Sequence, residues 1–302
     1  MPCTRAQAEA IDASDDLAID AVLATSEEDE ATGRWRLDAY FDGPPSPEQV
    51  AAVVALIPGA EGAKAERLPD EDWLTLSQAG LQPIREGRFV VHTQAFPAEP
   101  PPGGRAFRIE AAQAFGTGHH ETTSGCLAML ERLSGEGERF DQVVDIGTGT
   151  GLLAFAALEL WPGAYVLATD IDPVAIEVTR ENMAINSIGS IDLAVADGAL
   201  ALPIAADTQF DLIIANILAG PLISMAEELA AIAAPRATIV LAGLLETQRE
   251  AVVAAYEACG CTLAEADRRG DWTILCLTAG AERFVPASPP DPRGREGWAL
   301  DL

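Results

Sequence analysis

The sequence predicts an α/β protein: a doubly wound, Rossmann-like parallel sheet with a small α+β domain in front of it. Three observations carry this expectation. From about residue 140, near-continuous apolar strands alternate with helical stretches, the pattern of a parallel sheet covered on both faces. The first of these strands runs into a glycine-rich turn, VVDIGTGTG over 143–151, at the strand-to-helix junction where such sheets take ligands. The last section, TLAEADRRGDWTILCLTA, reads as two strands joined at RRGD, a hairpin that sets this sheet apart from a plain dinucleotide fold.

The N-terminal part opens with TRAQAEAID, which reads as a helix with no strand before it. GRWRLDAYF (33–41) alternates like a half-buried strand. GPPSP is a turn, and PEQVAAVVALI is a helix with Pro47 suited to its first turn. Together these predict an α+β domain over residues 1–69. DEDWLTLSQAG (70–80), with an acidic start and a closing Gly80, predicts a separate linker helix. FPAEPPPGG (96–104) is a Pro/Gly loop inside a main domain that spans 81–280. There FDQVVDIG, AYVLATDID, SIDLAVADG, FDLIIANI and ATIVLAGLL are strands, with LLAFAALEL and PVAIEVTRENMAI among the helices between them. The Pro-rich stretch over 281–302 predicts a mobile tail.

Composition excludes several functions. The net charge of −28 repels phosphate backbones, so nucleic acid is not the expected partner and a basic protein is a natural one. Lys64 is the only lysine and no GxxxxGK[ST] run exists, which excludes the lysine-bearing phosphate loop. The five cysteines lack CxxC spacing and the three histidines are His92, His119 and His120, so no metal site is expected. Scattered cysteines, no apolar leader and no apolar run near ~20 residues predict a cytoplasmic protein off the membrane.

The chemistry concentrates at strand ends. Asp145 precedes Gly147, Gly149 and Gly151, which let the backbone bend sharply and a ligand approach closely. Leu152 stands where a dinucleotide fingerprint would have its third glycine. An acid ahead of the glycines suits an amino-acid ammonium better than a phosphate. S-adenosylmethionine carries that ammonium, a sulfonium and no phosphate. Asp170 falls 19 positions beyond Gly151, where a carboxylate can accept both ribose hydroxyls. Asp172 reads as the N-cap of the helix that starts at Pro173. Asp197 in VADG is as compatible with a turn as with a bond from the adenine amine. Asn216 closes the apolar strand FDLIIANI; a buried Asn there needs partners, which a substrate amine would supply. AFGTGHHETT (114–123) is too polar for a core, and Thr123 or Ser124 can cap the helix that follows.

These segments resemble the ribosomal protein L11 methyltransferase (PrmA-like) family of S-adenosylmethionine-dependent protein lysine methyltransferases. AFGTGHHETT resembles the loop before that family's catalytic domain, and VVDIGTGTGLLAFAA, ATDIDPVAI and ANILAGPL resemble its cofactor segments in order and spacing. EDWLTLSQAGLQPIREGRFVV is similar to its linker helix and following strand, so the likeness covers about 70–278. The chain departs just before AFGTG, where Ala112 and Gln113 lie in place of a Pro-Gly-Met-like stretch. The resemblance implies a seven-stranded class I methyltransferase sheet and a ferredoxin-like N-terminal domain that recognises the substrate. It implies that Thr123, Gly147, Asp170 and Asn216 line the cofactor or the methyl-transfer site, and that the partner is a basic ribosomal large-subunit protein. Asp145, Gly149 and Asp197 complete the expected S-adenosylmethionine-binding set, with Asn216 as catalytic residue. Three other readings remain at this stage. They are a methyltransferase for another protein or small amine, a nicotinamide oxidoreductase, and a non-catalytic nucleoside-binding module.

Overall fold

The computed structural model describes residues 1–5, 7, 11, 21–29, 34–41, 45–57, 83–109, 120–199, 202 and 208–286. The chain divides into two compact units, Met1–Glu71 and Asp72–Leu302.

In the first unit β1 (Pro2–Thr4), β2 (Val22–Asp29) and β3 (Arg34–Tyr40) form an antiparallel sheet in the order β1-β3-β2. The expected strand over 33–41 is β3. The expectation that no strand opens the chain is corrected: Pro2–Thr4 pairs with Arg34–Arg36. The N-terminal ammonium donates to the Leu37 carbonyl at 2.6 Å, and Leu37 N–H donates back to Met1 at 2.7 Å. Three residues are too few for alternation to show, so pairing alone creates this strand. The sequence reading also missed β2, whose acidic end SEED looks like a loop until β3 pairs with it. Helix α1 (Pro47–Ala55) begins at Pro47 behind a capping box. Gln49 N–H donates to Ser46 Oγ at 3.2 Å, and Ser46 N–H donates to Gln49 Oε1 at 2.8 Å. Ile11, Leu37, Val53 and Ile57 close a small core. Most of the TRAQAEAID helix and all of the 70–80 helix lie outside the described residues. Three strands and α1 are what the described residues carry of the expected ferredoxin-like pattern.

The second unit begins with a three-stranded sheet, β4 (Ile84–Glu86), β5 (Phe89–His92) and β6 (Arg105–Arg108). Helix α2 (His120–Gly135) follows. Then come β7 (Gln142–Ile146), α3 (Leu152–Leu160), β8 (Tyr165–Asp170), α4 (Pro173–Asn186) and β9 (Ile191–Val195). The chain continues through β10 (Phe210–Asn216), α5 (Ala219–Ser224), α6 (Ala226–Ile232) and β11 (Ala233–Leu245). It closes with α7 (Arg249–Ala258), β12 (Thr262–Arg269) and β13 (Trp272–Thr278). The large sheet has seven strands in the order β12-β13-β11-β10-β7-β8-β9. The terminal hairpin is present, with β13 antiparallel to β11 and the inner strands parallel. The stretch 287–302 of the expected tail lies outside the described residues.

Alternation along the strands builds two cores. Val143, Val166, Ala168, Leu212, Ile214, Val240 and Ala242 face a layer that contains Leu127 and Leu130 of α2 and Phe155 of α3. Val144, Ile146, Leu167, Ile213, Ala215, Ile239 and Leu241 face Leu222 of α5, Leu229 of α6 and Tyr256 of α7. Each fully buried Leu, Ile or Phe contributes about 1.5–3 kcal/mol relative to exposure. Gly125 lets α2 lie tight on the sheet, because a Cβ there would meet Ile274 Cδ1 at 2.2 Å. Chain order reverses beside β7: the chain runs outward through β8 and β9, then returns to lay β10 on the other side. That reversal opens a crevice beyond the carboxyl ends of β7 and β10. Among the described residues no helix is long and apolar enough to cross a membrane.

Candidate functional site

Strand parity assembles the site. Asp145 on β7 shares a face with Val143, Asp170 on β8 with Ala168, and Asn216 on β10 with Ile214 and Leu212. Register places Asp145 beside Ala168 and Ile214, so the three polar side chains end neighbouring parallel strands on one face. Helices α2 and α3 cover that face.

Asp145 lies under the glycine turn and is 1% exposed. Its Oδ2 accepts the Thr148 hydroxyl at 2.7 Å and the Ala154 N–H at 3.2 Å, so the carboxylate sits against the positive end of α3. Burial pushes its pKa up to about 7, against the pull of those two hydrogen bonds and with a further push from the nearby Asp170 charge.

Above Asp145 the turn is held from both sides. Gly149 N–H donates to Asp170 Oδ2 at 2.9 Å, and Thr179 Oγ1 donates to the Gly149 carbonyl at 2.9 Å. Asn182 Nδ2 donates to the Thr150 carbonyl at 3.0 Å. Gly149 has φ +57 with nothing within 4 Å of the position its Cβ would take, so an open cradle lies over the turn. Asp170 divides its oxygens between two backbone N–H groups, Gly149 on Oδ2 and Asp172 on Oδ1. Burial raises its pKa despite those bonds. Asp172 is the N-cap the sequence predicts and accepts from Val174 N–H at 2.8 Å. Beside Asp170, Ile171 and Val195 expose apolar side chains at this edge, 45% and 52% accessible. Asp197 follows two residues after Val195, the register partner of Asp170, and is half-buried.

Asn216 departs from its expected burial: it is half-buried, and its carboxamide has no hydrogen-bond partner among the described residues. It stands at the last position of β10, where the strand leaves the core. Thr123 is buried at 6% exposure. The helix begins at His120, so Thr123 and Ser124 lie inside its first turns, which corrects the expectation that either caps it. Ser124 instead donates to Glu86 Oε2 at 2.6 Å and accepts from Arg269 Nη1 at 2.9 Å, while Arg269 also pairs with Glu86 at 2.6 Å. Trp272 pairs with Leu245, so this hairpin end lies at the carboxyl end of β11, and Arg269 ties the start of α2 to the same edge. Cys126, one turn further along α2, is close enough to Asp145 for that charge to help raise its pKa, after burial.

The structure thus brings Asp145, Gly147, Gly149, Asp170, Asp197 and Asn216 to one sheet edge and lays the Thr123 helix over their face. The loop over 110–119, with His119, lies outside the described residues, as does the side chain of His120. Among the described residues no group of three His, Cys, Asp or Glu is placed to hold a metal ion. Sequence reading missed Thr148, Thr179, Asn182 and the Glu86–Ser124–Arg269 tie. One signal for part of this was present: Ala175, Thr179, Asn182 and Asn186 form a buried stripe on α4, where polar residues take positions that periodicity reserves for apolar ones.

Comparison with known proteins gives one family over nearly the whole chain. Residues 3–280 match the family model described as ribosomal protein L11 methyltransferase (PrmA). A protein of that name from Agrobacterium fabrum is 41% identical over 262 residues, covering 85% of this chain and 89% of its own. One from Brucella abortus is 40% identical over 257 residues, with the same coverage of both chains. The crystal structure of a ribosomal protein L11 methylase from Lactobacillus delbrueckii subsp. bulgaricus superposes with a TM-score of 0.57 at 28% identity, covering 66% of this chain and 98% of that one.

Proposed function

Because the chain belongs to the ribosomal protein L11 methyltransferase family, we propose that it transfers methyl groups from S-adenosylmethionine to amines of ribosomal protein L11, at lysine side chains and the N-terminal amine. The observation that carries the amine chemistry is the convergence of Asp145, Asp170 and Asn216 on one face at the reversal of strand order.

The residues fit the donor. The open cradle over Gly149 admits a ligand against bare backbone, the buried Asp145 carboxylate favours the amino-acid ammonium, and Asp170 retains lone pairs for ribose hydroxyls. Ile171 and Val195 offer apolar contact to a flat base, and Asp197 an acceptor for its amine. When bound, S-adenosylmethionine supplies a methyl group on a positively charged sulfur, open to an uncharged amine.

The chain's own task is to present that amine. A free lysine has a pKa of about 10.4, so roughly one in a thousand is neutral near pH 7.4. A pocket that excludes water lowers that pKa. The Asn216 carbonyl accepts an amine N–H and orients the lone pair, and, being uncharged, it does not hold the proton as a carboxylate would. Thr123 lines the same face from α2. Because the thioether leaves without an acid, positioning is the main contribution. Recognition of the protein substrate is assigned to the small domain over 1–69, with 70–80 as linker, 81–280 as the transferase domain and 281–302 as a tail.

The test is incubation with methyl-labelled donor and purified ribosomal protein L11, with the label mapped by peptide mass. Label on lysine ε-amines or the N-terminal amine is expected; label on other atoms alone would overturn the assignment. Asn216→Ala should cut turnover by roughly 100-fold, the scale of a lost positioning contact. Its affinity for S-adenosylmethionine, measured by calorimetry, should stay within a few-fold of wild type. Equal loss of both would remove Asn216 from the acceptor side.

A further inference from the structure

The turn after Asn216 is seated between two glycines, one from each of the strands that flank β10: Gly147 just after β7 and Gly243 in β11. On the cofactor side, a Cβ on Gly147 (φ +69) would stand 2.4 Å from Ile217 Cγ2, so the Ile217 side chain packs on bare backbone of the glycine turn. On the other side, a Cβ on Gly243 (φ +85) would stand 2.3 Å from the Ile217 carbonyl oxygen, 2.7 Å from its carbon and 2.9 Å from its nitrogen. Ile217 N–H donates to the Ala242 carbonyl at 3.1 Å, which draws the turn onto β11 at that point. The register of β11 against β13 shifts between Leu241 and Leu244, and those two residues face the same core. Gly243 therefore sits in a bulge, where the strand turns bare backbone toward Ile217.

We propose that Gly243 is a positioning residue for methyl transfer: the bulge it occupies seats the Ile217 backbone and so fixes Asn216 relative to the glycine turn that holds the donor. This rests on the reading of Asn216 as the residue that orients the acceptor amine. The obstacle to a side chain at Gly243 is backbone, which cannot rotate aside. A methyl group there must push Asn216–Ile217 away from β11. Asp145 on β7 and Asp170 on β8 stand on strands that do not pair with β11 and stay in place. The consequence is a split: the donor binds, and the acceptor is misplaced.

Gly243→Ala is compared with Gly260→Ala, a glycine of nearly the same strained conformation (φ +81) with nothing within 4 Å of its Cβ position. Both variants carry the backbone cost of alanine at positive φ, but only Gly243→Ala meets Ile217. Expected for Gly243→Ala is a fall in kcat of tenfold or more, with the calorimetric Kd for S-adenosylmethionine within about threefold of wild type. Gly260→Ala should keep wild-type kcat per folded molecule. Ile217→Ala, which removes the packing on Gly147 without adding a clash, covers the case in which Gly243→Ala does not fold. Its kcat should fall several-fold at unchanged donor affinity. Gly243→Ala turning over like Gly260→Ala, or Ile217→Ala turning over like wild type when Gly243→Ala does not fold, overturns the proposal. Asn216→Ala assayed alongside separates the two readings. If it abolishes turnover while Gly243→Ala does not, Asn216 stands and the seat falls. If Asn216→Ala turns over normally, the reading of Asn216 itself fails.

Discussion

Asp145 combines two opposed demands. Its carboxylate is fully enclosed, which favours the protonated form, yet the proposed function sets it against the ammonium of the donor, which favours the ionised one. With its pKa raised from 3.8 to about 7, the folded protein binds more protons than the unfolded chain between about pH 4 and pH 7. The contribution of this residue to stability therefore falls as pH rises through that window and is level above it. Donor binding runs the other way. Below about pH 7 the carboxyl must release its proton to meet the ammonium, so affinity for S-adenosylmethionine should weaken by up to about tenfold per pH unit as pH drops to 6 and below. Calorimetry at pH 6 and pH 8 in two buffers of different ionisation enthalpy reads both the affinity change and the proton released. Asp145→Asn keeps an acceptor for the Ala154 N–H and should flatten the profile; an unchanged profile would place the titrating group elsewhere.

Helix α4 shows how an element can serve a site it does not line. Its buried stripe carries Thr179 to the Gly149 carbonyl, Asn182 to the Thr150 carbonyl, and Asn186 to β6, where Arg108 N–H donates to Asn186 Oδ1 at 2.7 Å. Asn182→Ala leaves the Thr150 carbonyl without its donor inside the protein, a loss of about 1–3 kcal/mol. Thermal unfolding should show that loss. Donor affinity should weaken several-fold while kcat at saturating donor stays within about twofold, because the acceptor side is held by β10 and β11. The same helix marks the limit of what was legible. Strands β7, β8 and β10 were readable because both faces are buried and the sequence runs apolar to their ends. Asp145, Asp170 and Asn216 stood out because each puts a polar side chain near the end of such a run. Asn182 was half legible, as a polar residue in an apolar stripe. Arg269 and Glu86 were not, since 183 residues separate partners that only the β12–β13 hairpin brings together. Gly243 was not, since the need for a bare Cα arises from the Ile217 backbone, remote in sequence. Strands β1 and β2 failed for a related reason: one is three residues long, the other ends in acids, and both exist by pairing with β3.

The protein as a body of charge adds a property that no single contact contains. With a net charge of −28 and only 19 basic residues, most carboxylates have no basic residue to pair with. Several of the arginines are already spent in pairs, such as Arg132 with Glu265 at 2.5 Å and Arg269 with Glu86 at 2.6 Å. A field of this sign draws a basic protein toward the surface and raises its encounter rate by about 10–10³-fold at low salt. It does less for a small donor seated against the glycine turn, where hydrogen bonds and apolar contact rather than long-range attraction would set the affinity. Ionic strength separates the two. The Debye length shrinks from about 30 Å at 0.01 M to about 3 Å at 1 M. Across that range kcat/KM for ribosomal protein L11 should fall by tenfold or more, mainly through association, while the Kd for S-adenosylmethionine moves by less than about threefold. Stopped-flow association with fluorescently labelled substrate at both salt concentrations, set beside calorimetry of the donor, reads the two terms independently. Association that ignores salt would mean that the acidic surface keeps the protein soluble and takes no part in capture. Recognition would then rest on short-range contacts alone.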